Sequence, residues 1–218
     1  MSMFKGLSKA TVSSRLPDPR VGKADYLLNS MRVRENRDGS NRVQVSLTCL
    51  RGLTEGSDQK GDKVGIAIFS GDYFLTEFKR WVLAACGVAR TDEEEVVEMA
   101  CELLGDEVKG LDELDRAEKA WEHIAQLATA EGQGENAAGI FDNQVVIQIE
   151  SIRKEGKDEG KGKMVDGVFV PEPIPTYLNS YPNRKVLFSE LVDDLDEKDM
   201  KRFFGSEERF MELLEKEA

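Results

Sequence analysis

Several segments of the first 70 residues alternate apolar and polar side chains, and basic and aromatic residues occur on their polar side. This placement suggests a binding surface. Arg32 and Arg34, then Arg42, then Lys63 and Phe69 each fall on the polar side of a segment that alternates apolar and polar residues. Lysine and arginine bind phosphates, and an exposed aromatic ring stacks on a base whatever its identity. The pattern indicates a surface for single-stranded nucleic acid, and the ordinary polar outer face of a sheet is the alternative interpretation.

Two further groups extend this candidate surface. Tyr73 follows the third of these segments, and we expect Phe69 and Tyr73 to provide the stacking rings. A charged, glycine-rich stretch over 153–163 contains Arg153, Lys154 and Lys157. We expect that stretch to be a loop that closes over a bound strand.

No set of residues has the spacing of a catalytic or metal site. The chain lacks a phosphate-binding glycine loop, a dinucleotide fingerprint and an HExxH motif. Its single histidine, His123, has no nucleophile motif beside it, so a structural or exposed histidine is favoured. Consecutive carboxylates over 92–95 would point to different sides of a helix and make a poor ligand set. The three cysteines lack CxxC spacing. We therefore expect no enzymatic activity, no metal and no cofactor.

The elements that must position these residues follow from periodicity. Alternation of apolar and polar residues predicts five strands, over 26–33, 42–50, 63–69, 143–152 and 164–170. Helical spacing predicts a block of helices within about 72–131, with Trp81, Trp121 and Leu127 packed against the strands. The prolines at 171, 173 and 175 indicate an extended exit, followed by a turn-like stretch over 177–183 and short acidic helices.

The predicted order is three strands, a helical block and two more strands. An OB-fold barrel has its elements in this order. We therefore predict a mainly β fold with a helical insertion, namely a five-stranded OB-fold-like barrel with helices and an acidic C-terminal helical tail. The expected divisions are an N-terminal arm over 1–23, the barrel over 24–170, and the proline-containing exit with its acidic tail over 171–218.

Charge is unevenly distributed along the 218 residues, whose formal net charge is −12. Residues 1–90 carry 15 basic and 9 acidic side chains, whereas residues 91–135 carry 3 basic and 15 acidic ones. This asymmetry suggests a surface for a polyanion and a separate acidic region, although solvated helix faces also explain the acidic stretch. Since no apolar run approaches about 20 residues and no signal-peptide core is present, we expect a cytoplasmic protein that does not contact a membrane.

The layout resembles that of phage-encoded single-stranded-DNA-binding proteins of the OB-fold type. The matching stretches lie at 4–7, 22–26, 38–41, 78–88 and 145–150, within a likeness that covers residues 4–165. The resemblance implies binding of single-stranded DNA with little sequence preference, in phage DNA replication or recombination and in the host cytoplasm. The chain departs from that pattern in its longer, more acidic block over 91–135 and in the acidic amphipathic helix near its end.

Two other function classes compete with this hypothesis. The net charge of −12 favours an acidic interaction protein that mimics DNA or docks on a host protein. A nuclease with scattered carboxylates is a third hypothesis. Under the first hypothesis the partners are single-stranded DNA and, through the acidic C-terminal helices, replication or recombination proteins. The sequence leaves open whether the chain forms a homo-oligomer.

Overall fold

A computed structural model describes residues 16–35, 41–69, 74–89, 91–129, 145–156, 160–165 and 168–217. The strands are β1 (Gly22–Glu35), β2 (Asn41–Gly52), β3 (Lys63–Phe69), β4 (Val146–Glu155), β5 (Gly162–Val165), β6 (Val168–Pro171) and β7 (Thr176–Val186). The helices are α1 (Phe74–Cys86), α2 (Glu93–Leu104), α3 (Glu113–Thr129), α4 (Glu197–Phe204) and α5 (Glu207–Glu217).

Five of the strands form one antiparallel sheet in the order β3-β2-β1-β4-β7, and β5 pairs with β6 in a separate two-stranded sheet. In the described part of the chain the edge strands β3 and β7 are not paired with each other, so the sheet is open. The edge of β3 is instead hydrogen-bonded by the preceding segment, because the Gly65 amide donates to the Pro17 carbonyl at 2.8 Å.

Helices α1, α2 and α3 cover one face of this sheet, which we call the inner face. Alternate positions of β2 supply Val43, Val45, Leu47 and Cys49, all of them buried. Helix α1 meets them with Phe78, Trp81, Val82 and Ala85, which share one side of the helix because they are spaced by three or four residues. The period-two and helical patterns of the sequence are thus both confirmed in this core.

A polar contact joins the three helices at the rim of the inner core. Lys79 of α1 makes an ion pair with Glu93 of α2, and the Trp121 indole of α3 donates a hydrogen bond to the same carboxylate at 2.9 Å. The Lys79 ammonium also lies 4.7 Å from the centre of the Trp121 ring. Leu127, predicted to pack inward, is only partly buried, and Ala120, Ile124 and Ala128 fill the interface instead.

The opposite, outer face of the sheet is covered over its middle by the C-terminal segment, residues 187–217. Leu27, Leu50, Val146 and Val186 of the sheet form a second core with apolar residues of this segment, which are Phe188, Leu191, Leu195, Met200, Phe210 and Leu213. The rings of Phe188, Phe204 and Phe210 pack against one another at 5.1 to 5.8 Å between centroids. The acidic C-terminal helices are therefore part of the folded body.

A buried ion pair lies beside this second core. Asp25 of β1 is fully buried and accepts hydrogen bonds from Arg51 of β2, through Nε at 2.9 Å and Nη2 at 2.6 Å. Gln148 of β4 donates to its other oxygen at 3.2 Å. The remaining Arg51 nitrogen donates to the Glu190 carbonyl at 3.0 Å and to the Asp194 carboxylate. Arg51 therefore links the sheet to the C-terminal segment.

A second buried carboxylate positions the segment before β1. Asp58, in the loop after β2, accepts a hydrogen bond from the Tyr26 hydroxyl at 2.6 Å and lies within 3.3 Å of the Arg20 amide. Burial and the negative charge of Asp58 raise the pKa of Tyr26 well above its usual range and that of Cys49 to about 12. Tyr26 therefore stays neutral and donates its proton to the carboxylate.

The predicted fifth strand is wrong. Residues 164–170 are divided between β5 and β6 of the separate sheet, and the fifth strand of the main sheet is β7, which includes the stretch expected to be turn-like. The prolines before β7 obscured it, although Pro182 lies within the strand where its register shifts. The barrel predicted from the sequence is here an open five-stranded sheet.

We expect Asp25→Ala to lower the free energy of unfolding by about 3 kcal/mol, because it removes one partner of a buried ion pair. Urea denaturation monitored by circular dichroism measures the change. The exposed Asp193→Ala, on the C-terminal segment, is the control and should change stability little. Equal losses in the two variants would contradict a structural role for the Asp25–Arg51 pair.

Candidate nucleic-acid interface

Strand register brings most of the predicted basic residues together on the outer face. Arg34 pairs with Arg42, which pairs with Phe69, and Arg32 pairs with Gln44 in the next row. Lys63 lies further along the same face, opposite Thr48. Paired residues of antiparallel strands project from the same face about 5 Å apart. The shared parity predicted for Arg32, Arg42 and Lys63 is therefore confirmed.

Some predicted side chains lie outside the described part of the structure. These are the side chains of Arg34 and Phe69, together with the whole of Tyr73 and Lys157. The described basic residues at this end, Arg32 and Arg42, define what we call the cationic end of the outer face. Lys63 lies six residues along β3 from Phe69, in the row of Thr48 and Leu27.

The cationic end has no ion pair with the described carboxylates. Arg32 and Lys63 are exposed, and no carboxylate among the described residues makes an ion pair with Arg32, Arg42 or Lys63. The Nε atom of Arg42 is buried and has no hydrogen-bond acceptor among the described residues. A buried charged donor without an acceptor is costly, so an anionic oxygen that reached it would be favoured.

The outer face at Gly65 of β3 is not open. Gly65 is buried, and a Cβ atom built on it would lie 3.0 Å from the Leu16 Cβ atom. Leu16 and Asp18 line a narrow pocket with Arg42 and Gln44. The segment before β1 therefore lies across the outer face over Gly65.

The sequence predicted a loop at Arg153 and Lys154, and this prediction is wrong. Both residues belong to β4, which continues through Glu155. Adjacent strand residues face opposite sides, and these two therefore diverge. Lys154 shares the outer parity of Val146 and Gln148, and its ammonium donates to the Tyr181 hydroxyl at 2.8 Å. Arg153 instead lines an open groove of about 780 Å³ with Arg20, Glu55 and Leu178.

Three aromatic residues were not among the predicted site residues. Phe169 and Tyr177 are 52% and 55% exposed, and Tyr181 contacts Lys154. The alternation of Tyr177, Asn179 and Tyr181 with Leu178, Ser180 and Pro182 was the signal that could have identified this strand. The prolines in and around it outweighed that signal.

Clusters of metal-ligating side chains and long apolar helices are both absent from the described ranges. They contain no group of three or more histidine, cysteine, aspartate or glutamate side chains that could hold a metal ion. None of the helices they include combines the length and apolar character needed to cross a membrane. His123 is partly exposed on α3, at the edge of the inner core.

Comparison of the chain with models of protein families and with curated proteins finds no match. Function is therefore inferred from the residues and their geometry.

The ion pair that fastens the C-terminal segment to β7 should make stability depend on pH. Glu190 accepts hydrogen bonds from both terminal nitrogens of Arg184, each at 2.7 Å, and these bonds lower its pKa from 4.5 to about 2. A carboxylate whose folded pKa is depressed stabilises the fold above its unfolded pKa and loses that effect as the pH falls through the folded value. We expect Glu190→Gln to lose less stability than wild type between pH 4.5 and 2. Urea unfolding across that pH range measures this.

The exposed Glu122→Gln, on α3, is the control for Glu190→Gln and should follow the wild-type pH profile. A Glu190→Gln profile that matches wild type would show that the Arg184 contact does not persist in solution.

Proposed function

We propose that the protein binds single-stranded DNA with little sequence preference and without catalysis, in phage DNA replication or recombination. The observation that carries the proposal is the cationic end, where Arg32 and Arg42 project from adjacent strands without a carboxylate partner among the described residues. Lys63, further along the same face on β3, also lacks such a partner among them. Several basic residues of the folded body do have such partners: Arg51 has Asp25, Arg184 has Glu190 and Lys60 has Asp199. The cationic end is thus available for phosphates.

Strand order supports the same proposal at the level of fold. The order β3-β2-β1-β4-β7, with helices between β3 and β4, is what an OB-fold barrel shows when it is opened between its third and fifth strands. We infer an OB-fold-like barrel that is open at this seam, where the β3 edge bonds Pro17. Oligonucleotides bind such barrels on the outside of the second and third strands, which here carry Arg42 and Lys63.

The acidic block does not oppose this location. Helices α2 and α3 are joined to α1 and pack on the inner face, whereas the cationic end belongs to the outer face. The carboxylates of α2 and α3 are mostly exposed. Phosphates on the outer face would thus be separated from them by the sheet.

The acidic surface favours a competing proposal, an interaction protein that mimics DNA. Residues 91–135 carry 15 acidic and 3 basic side chains. We infer that the acidic surface of α2 and α3 faces protein partners, while DNA occupies the part of the outer face that the acidic C-terminal helices leave uncovered. Failure to bind any single strand at low salt would favour the competing proposal.

The test is a salt titration with a fluorescent oligothymidylate of about 30 nucleotides, longer than the roughly 16 that one OB-fold covers. Fluorescence anisotropy gives the dissociation constant at each salt concentration. We expect Arg32→Ala with Arg42→Ala to weaken binding and to reduce the slope of log affinity against log salt by about 1.4, since each lost phosphate contact removes about 0.7. A duplex of the same length should bind more weakly than the single strand.

A matched control removes the same amount of charge elsewhere. Lys109→Ala with Lys119→Ala also deletes two positive charges, in the acidic helical block. This variant should keep the wild-type slope. If both double variants lose the same slope, or if the folded arginine variant keeps wild-type affinity, the cationic end is not the binding surface.

A further inference from the structure

Beyond the ends of β1 and β2, strands β4 and β7 continue as a two-stranded ribbon that leads into β5 and β6. We call the described residues of 153–181 the arm. The arm exposes many apolar side chains, each at least 41% accessible, which are Met164, Val165, Val168, Phe169, Val170, Ile174 and Tyr177. A concentration of exposed apolar side chains marks an interaction surface.

Two aromatic rings of the arm each lie over a glycine. A Cβ atom built on Gly162 would be 2.3 Å from Cζ of Phe169, and one built on Gly156 would be 2.8 Å from Cε2 of Tyr177. Either contact is too short for a real side chain, so the rings occupy the space that only glycine leaves free. A ring placed in this way shields the backbone of the glycine on one side. More than half of each residue is still exposed.

A third ring lies beside a cation on the same ribbon. Tyr177 pairs with Lys154, and Tyr181 pairs with Glu150 on the same face. The Lys154 ammonium lies 5.1 Å from the centre of the Tyr181 ring and donates to its hydroxyl. Four residues along a strand span roughly 13 Å, so Tyr177 and Tyr181 are spaced along the ribbon with a positive charge between them.

We propose that the arm is a base-stacking surface for the single strand, with Phe169, Tyr177 and Tyr181 as its rings and Lys154 beside the phosphates; this rests on the proposed function. Phe169 and Tyr177 pack over a glycine, and Tyr181 contacts Lys154. Because these contacts already restrict the rings, little side-chain conformational entropy is lost when a base stacks on them. Stacking is tolerant of sequence because every base has a flat aromatic face. The segment 153–177 has five basic and five acidic residues, so it lacks the negative charge of 91–135.

The arm and the cationic end make different contributions, which allows them to be separated. Arginine contacts with phosphates depend on salt, whereas stacking on an apolar ring does not release counterions. Loss of a ring should therefore lower affinity equally at every salt concentration and leave the slope unchanged. Loss of Arg32 and Arg42 should reduce the slope.

The test compares Phe169→Leu and Tyr177→Leu with wild type in the oligothymidylate titration, and repeats it with an abasic strand that has the same phosphates. We expect each variant to bind oligothymidylate about 5- to 150-fold more weakly, the loss that corresponds to one stacked base, with an unchanged salt slope. Wild type should prefer oligothymidylate to the abasic strand. The double variant Phe169→Leu with Tyr177→Leu should lose most of that preference. Circular dichroism and the urea midpoint establish that each variant is folded.

Met164→Leu is the matched control, because Met164 is the exposed cross-strand partner of Phe169 and has no ring. It should bind like wild type. An equal loss in Met164→Leu, or wild-type affinity in both ring variants, would overturn the stacking surface while leaving the proposed function intact. No binding of oligothymidylate by wild type would overturn both. Ring variants that dissociate an oligomer in sedimentation without a change in DNA affinity would assign the arm to self-association and overturn stacking.

Discussion

The buried ion pair between Asp25 and Arg51 determines how the two faces of the sheet are used. A carboxylate with no solvent contact is unfavourable unless its charge is compensated, and here Arg51 and Gln148 compensate it. Arg51 has one nitrogen left, which bonds the Glu190 carbonyl and the Asp194 side chain. The C-terminal segment is thereby fixed across the middle of the outer face, where it also buries Leu27 and Val146.

This arrangement divides the outer face into three parts. Its middle is covered by the second core, one end carries Arg32 and Arg42, and the other extends as the ribbon that bears Lys154 and Tyr181. The strands are long enough for this division, since β1 has 14 residues and β7 has 11. A ligand on the outer face therefore meets cations at one end and aromatic rings at the other.

Paired and unpaired charges also occupy different parts of the molecule. Basic residues inside the body are held by carboxylates, and Arg184 with Glu190 and Lys79 with Glu93 are examples. The cationic end has no such partner among the described residues, and the acidic helices α2 and α3 belong to the other face. A chain whose net charge is −12 can thus present a local basic surface, because the sheet separates Arg32 and Arg42 from α2 and α3 and the acidic C-terminal segment covers only the middle of the outer face.

The sequence by itself determined the periodic features: the half-buried strand β2, the apolar stripe of α1 and the common face of Arg32, Arg42 and Lys63. Alternation and helical spacing are local properties, and they specify which side chains share a face before any distant contact forms. Only the tertiary structure decided what covers each face. Arg51 and Asp194 are 143 positions apart, Leu16 reaches Gly65 from outside the sheet, and β7 is a strand because β4 pairs with it. Such contacts depend on how distant segments pack together, and no local pattern specifies that.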